Sequence, residues 1–196
     1  MMPIQGEVVE LPIYDTADFM RMGQRVSLFA IPMGGQTTSI WRHHSESWIK
    51  DVWETNMIQS GMLDTLKEFT VRDIQVLLYD KDGPLPVFDR TGMGSLWAKS
   101  YLTLDIGMKL YWQGPLSLVA DPVCLLGGLD ALVKMQAHHG DCESSIKMLN
   151  YQRDHPLSCH IRHQESFRVQ VTPYTPVCRQ ISVRVVLNGM QLRLTF

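Results

Sequence analysis

The sequence predicts an all-β, antiparallel fold, and three observations carry that prediction. Apolar residues recur at every second position in several segments, which is the period of a strand with one buried face. These segments are short and bounded by Gly, Pro and Asn turn signals or by long connections. No helical segments alternate with them, so a parallel α/β sheet is not expected and a sandwich or barrel is.

The C-terminal segment gives the clearest pattern. Ile181, Val183, Val185 and Leu187 alternate with polar or smaller residues, Asn188-Gly189 follows, and Met190, Leu192, Leu194 and Phe196 alternate again. Asn-Gly is the strongest two-residue hairpin signal, because both central positions need positive φ. The predicted register sets Leu187 opposite Met190 and Arg184 opposite Arg193. Leu102, Leu104, Ile106, Met108, Leu110 and Trp112 occupy alternate positions and predict one long strand, with Asp105 and Lys109 on its wet face and Gly114-Pro115 ending it. Between Phe69 and Tyr79 the apolar phase slips at Arg72-Asp73, which predicts a β-bulge that keeps both sets on the core face. Shorter strands are expected at Phe167, Val169 and Val171, at Val26, Leu28 and Ala30, and at Leu116, Leu118 and Ala120, each stopped by a following proline. One or two short helices are expected in loops, over 129–136 and 144–149, and 47–57 reads equally as helix or extended chain. The segments 80–95 and 137–160 read as long irregular connections.

The chain has 196 residues, 45% of them hydrophobic and 19% charged, with a net charge of -2. That composition suits one folded domain with a real core and excludes disorder. It also excludes a chain that binds nucleic acid through overall basic charge. The apolar runs are too short for a transmembrane helix. The start, MMPIQGEVVELPIYD, lacks the basic and apolar regions of a signal peptide, so a soluble, cytoplasmic chain is expected unless it resides in a virion. Cys124, Cys142, Cys159 and Cys178 contain no C-x-x-C pair and read as reduced thiols.

Motifs of nucleophilic, metalloprotease or nucleotide chemistry are missing from the sequence, so no enzyme and no cofactor is expected. Five of the seven histidines fall between 138 and 163. Cys142, Cys159, His160 and His163 are the metal candidates, though C-x16-C-H-x-x-H matches no common zinc module. A solvated His-rich loop or a pH-responsive contact are the other readings. Cys142 with His139, or Cys159 with His163, would be the Cys-His nucleophile pairs. Arg168, Arg184 and Arg193 lie on C-terminal strands and are candidates for an anion or nucleic acid, set against solvated or carboxylate-paired arginines. Trp41, Trp48, Trp53, Met57, Met62, Phe88 and Trp97 lie outside the obvious strands and are candidates for a subunit interface.

Four features together resemble the single jelly-roll coat proteins of small tailless viruses and phages. An N-terminal arm (1–24) precedes the first strand, about eight short antiparallel strands follow, long loops separate them, and QISVRVVLNGMQLRLTF closes the chain. The resemblance implies a jelly-roll-like β-sandwich over 25–196 and a non-enzymatic structural subunit of a virion shell, with copies of itself and other virion proteins as partners. The arm departs from genome-binding arms, because it holds Glu7, Glu10, Asp15 and Asp18 against Arg21. It is therefore expected to contact neighbouring subunits rather than nucleic acid. Two other functions fit the same fold class: a module that binds carbohydrate or a host receptor, and a cupin-like metalloenzyme using the histidines.

Overall fold

The computed structural model describes residues 5–19, 24–41, 44–80, 96, 99–119, 158–175 and 181–195. The chain is an antiparallel β-sandwich. Its strands, in order, are β1 (Gln5–Glu10), β2 (Ile13–Asp18), β3 (Val26–Leu28), β4 (Gln36–Trp41), β5 (His44–Ile49), β6 (Lys67–Asp80), β7 (Ser100–Ile106), β8 (Lys109–Pro115), β9 (Cys159–Ile161), β10 (Phe167–Pro173) and β11 (Ile181–Thr195). The first sheet has the order β1-β11-β6-β9, with β2 also on β11, and the second has the order β3-β10-β7-β8. A separate hairpin, β4-β5, is inserted between β3 and β6.

The pairings nest. β7 pairs with β8, β6 with β9, β3 with β10, and β2 with β11. The chain therefore runs as one long hairpin whose apex is the β7–β8 turn, wound so that successive rungs fall in alternate sheets. The seams β11-β6 and β10-β7 then close each sheet. Alternation explains the core: Ile13, Ile74, Val76, Leu78, Val183, Val185 and Leu187 from the first sheet meet Val26, Leu28, Leu102, Leu104, Ile106, Val169 and Val171 from the second.

The expected bulge in β6 is present: Asn188 pairs with Asp73 and Gly189 with Val71, leaving Arg72 as the extra residue. Phe69 and Val71 are consequently buried along with Ile74, Val76 and Leu78. The strands at Val26 and Phe167 also form, although Ala30 lies beyond β3 and is exposed.

Other expectations are corrected. Asn188-Gly189 is not a turn. β11 runs straight through it, and neither residue has positive φ. Long-range pairing overrides the local signal, because β6 flanks β11 on one side while β2 and then β1 flank it on the other. Glycine is required at 189 for a different reason: a Cβ there would lie 2.0 Å from the carbonyl oxygen of Thr70, at the bulge. Arg184 therefore faces Thr16 and Leu77, while Arg193 faces Glu7 and Lys67.

The apolar run from Leu102 to Trp112 is a hairpin, not one strand. Ile106 pairs with Lys109 across Gly107-Met108. Gly107 takes φ 59, which suits the first central position of a two-residue loop. Leu102, Leu104 and Ile106 are buried, Met108 and Leu110 are exposed, and Trp112 is half-buried against the core. Tyr111 is the extra residue of a second bulge. Leu116–Leu118 is a 3-10 turn rather than a strand. Residues 47–57 finish β5 and then make a turn, so they are not a helix. Residues 5–18, read above as part of an arm, form β1 and β2 on the first sheet. The helices expected over 129–136 and 144–149 lie outside the described residues, as do most of both long connections.

Candidate functional site

The most developed cluster gathers on β2 and the segment after β5. Asp15 has the same parity as Ile13 and Ala17, so β2 aims its carboxylate at the core. It is 0% exposed. Lys50 follows β5 at 3% exposure, and its Nζ donates to Asp15 Oδ1 and to the carbonyl of Thr16, both at 2.6 Å. The other carboxylate oxygen accepts the Phe29 N–H at 2.5 Å. Phe29 sits at φ 65 with its ring fully buried, 5.3 Å from the ring of Phe167. The carboxylate and the tilted ring contact thus hold a conformation that a large side chain rarely adopts. Burial pushes the Asp15 carboxyl above its ordinary value of 3.8, opposed by Lys50, the Phe29 N–H and Thr55.

Residues 51–58 continue from this pair and cover β2. Asn56 bonds to both the N–H and the C=O of Tyr14, through its side-chain oxygen and its backbone N–H. The Tyr14 hydroxyl donates to the carbonyl of Val52. Asp51 accepts the Trp53 N–H at 2.8 Å, and the Arg184 guanidinium donates to the Trp53 carbonyl while stacking 5.7 Å from the Tyr14 ring. Both backbone polar groups of Trp53 are therefore held, yet its side chain is 77% exposed. Val52 and Ile49 beside it are also exposed. Trp48 is half-buried and donates its indole N–H to Glu54.

Compared with protein-family models, curated proteins and solved structures, the chain matches none.

The remaining candidates separate. Met57 is buried in the chain's own core and Met62 is half-buried, and both line one surface cleft. Trp41 ends β4 opposite His44. Phe88, Trp97 and Cys142 lie outside the described residues. The arginines do not form a patch. Arg168 sits on the second sheet and pairs with Asp105 at 3.1 Å. Arg184 and Arg193 are an odd number of positions apart on β11, so they face opposite sides. Arg184 is engaged by Thr16 and Trp53, and Arg193 donates to Gln191.

The pleat also divides the metal set. Cys159 points into the core and its neighbour His160 points out. His160 lies between Glu68, at 3.2 Å, and Thr70, at 3.1 Å, while His163 approaches the other Glu68 oxygen at 3.7 Å. Among the described residues no group of three His, Cys, Asp or Glu is arranged to hold a metal. Burial pushes the Cys159 thiol up to about 11, so it stays protonated and is a poor nucleophile. No helix among the described residues is long and apolar enough to cross a membrane.

The sequence offered Trp53 as an interface candidate, whereas the buried pair of Asp15 and Lys50 was missed. Asp15 was read as one more acid in an arm. Its signal was its phase: Ile13, Asp15 and Ala17 alternate with Tyr14 and Thr16, and Ile13 is an apolar residue of that same face.

Proposed function

We propose that this chain is a non-enzymatic structural subunit of a symmetric assembly, a virion shell, built on a jelly roll. The nested strand pairing supports the jelly-roll reading, since a rolled antiparallel hairpin of four strand pairs is that topology. One observation carries the functional reading: Trp53, with Val52, stands exposed on a turn whose backbone is fixed, and Ile49 at the end of β5 is exposed as well. A solvent-facing indole on a fixed backbone is the kind of anchor that dominates protein interfaces, because the turn need not be ordered on binding. The partners proposed are copies of the same chain and other virion proteins. The dispersed, internally engaged arginines favour protein contacts over packaged nucleic acid.

The test is particle mass by light scattering across concentration, for wild type and Trp53→Ser. Wild type should form species of several chains, and the variant should shift towards monomer with its thermal stability unchanged. A wild-type chain that stays monomeric at high concentration overturns the reading. The same exposed Trp53 favours, second, a module that binds carbohydrate or a host receptor. That reading takes the lead if the monomer binds glycans and Trp53→Ser abolishes the binding.

A further inference from the structure

We infer that β1 is an exchangeable strand, which pairs with β11 of its own chain in the single molecule and with β11 of a second copy in the assembly. The inference rests on the assembly reading above and names a segment that joins the copies. The acceptor is the edge of β11 from Met190 to Thr195. The structure shows what fits that edge: β1 lies along it antiparallel, with Glu10 against Met190, Val8 against Leu192 and Gln5 against Thr195. The same segment of a neighbour meets the same partners, so exchange conserves every rung of the ladder. Concentration then decides between the closed and the exchanged form.

Three observations mark β1 as the strand that leaves. First, its described side chains bring nothing to the core. Gly6, Glu7, Val8 and Glu10 are exposed and Val9 is half-buried, whereas β2, on the same edge of β11, buries Ile13 and Asp15. The Glu10–Arg72 ion pair, at 3.4 Å, is exposed on both sides and contributes little. A segment with so few buried contacts opens at low cost in free energy. Second, the chain is clamped up to Pro12. Asn56 donates its side-chain N–H to the Pro12 carbonyl at 2.7 Å and accepts the Tyr14 N–H at 2.9 Å. Leu11, between that clamp and β1, is 40% exposed and is the hinge. The proline after it keeps Leu11 extended, so a released β1 projects outward instead of folding back on its own sheet. Third, donor and acceptor are complementary in charge. The donor, QGEVVE, carries two acids and no base. The acceptor side sets Arg193 opposite Glu7 and Arg72 beside Glu10. Opposite charges across strands are favourable and like charges are not, so this edge selects an acidic strand. Two β1 strands would instead bring four acids together, which disfavours their direct edge-to-edge pairing.

Cross-linking across two chains tests the exchange. Val8 and Leu192 are direct partners, with Cβ atoms about 4.5–5.5 Å apart, within reach of a short thiol-to-thiol cross-linker. One preparation carries Val8→Cys and a second carries Leu192→Cys, so neither chain alone can make an 8–192 link. The two are mixed dilute, concentrated until they assemble, cross-linked and separated by size. Peptide mass spectrometry then identifies which residues are joined, which sets links through the native cysteines apart. Peptides joining 8 to 192 are expected in the assembled fraction and not in the monomer fraction. A single chain with both Val8→Cys and Leu192→Cys, cross-linked while dilute, should give the link within itself. Thermal unfolding verifies the fold of each variant. Val9→Cys with Gln191→Cys, also direct partners, replaces the pair if Leu192→Cys does not fold. Assembled chains that lack the interchain link, while the doubly substituted chain forms it, overturn the inference and leave the structural-subunit reading standing. A wild type that stays monomeric removes both.

Discussion

Replacing Lys50 by Met tests the buried ion pair directly. The variant leaves the Asp15 carboxylate at 0% exposure with only the Phe29 N–H and Thr55 as partners. Removing one partner of a buried, hydrogen-bonded pair costs about 3–5 kcal/mol, because the remaining charge is left desolvated. For a chain of this size each kcal/mol moves the unfolding midpoint by about 2–4 °C, so a fall of roughly 6–20 °C is expected. Asp15→Asn should cost a comparable amount by stranding the ammonium, although an amide oxygen can still accept from Phe29. The double variant Asp15→Asn/Lys50→Met removes both charges and should cost less than either single change. The dependence on pH has a definite sign. Burial holds the Asp15 carboxyl above its ordinary 3.8, so the folded chain binds more protons than the unfolded one. This group's contribution therefore falls as pH rises from about 3.8 through the folded value. Loss of Lys50 removes a pull in the opposite direction, so the deficit of Lys50→Met should be smaller at pH 4 than at pH 7. Urea unfolding of the four proteins at both pH values measures all of this. Additive single costs, or a deficit that shrinks as pH rises, would refute the reasoning.

Other expectations follow from close approach, turn geometry and burial. Gly189→Ala should destabilise by about 1–3 kcal/mol or more, read by thermal unfolding, because its Cβ would collide with the Thr70 carbonyl oxygen. Gly107→Ala, at φ 59, should cost about 1–2 kcal/mol through left-handed backbone strain, read by the same melt. Ile106→Ala should cost about 2–5 kcal/mol, whereas Met108→Ala, two positions on and fully exposed, should stay within about 0.5 kcal/mol. Equal effects at 106 and 108 in urea unfolding would restore the single long strand.

The all-β class was legible because period-2 alternation survives in β6, β7, β10 and the first half of β11. Local turn signals were less reliable guides to connectivity. Asn188-Gly189 carries the residues of a hairpin, yet β1, β2 and β6 together offer β11 a ladder along its whole length, which no two-residue loop could match. Gly107-Met108 carries a weaker signal, and there the chain does turn. An apolar alternation that continues through a glycine at positive φ conceals the reversal, because Met108 and Leu110 keep the phase but lose the core. β1 and β2 were hidden for another reason. Their side chains are mixed in polarity, and both take their place as strands from the edge of β11, a partner more than 160 positions away in the chain.

Lys50 joins the core to the surface on which the functional reading depends. Its ammonium ties β2 to the end of β5, and the next residue, Asp51, holds the Trp53 N–H. Asp15, on the other half of the pair, fixes Phe29 and hence the point at which the chain leaves β3 for the inserted hairpin. A hydrophobic pair of similar volume could fill this space at equal or lower cost in stability. It could not specify direction as two charges and a backbone N–H do, and direction is what an exposed indole requires if its partner is to meet it in one orientation. The ion pair is therefore better understood as placing the 51–58 turn than as strengthening the fold. The fixed Trp53 backbone follows from it through two hydrogen bonds joined by one peptide link: Lys50 to Asp15, and then, one residue on, Trp53 N–H to Asp51, with Arg184 closing the far side.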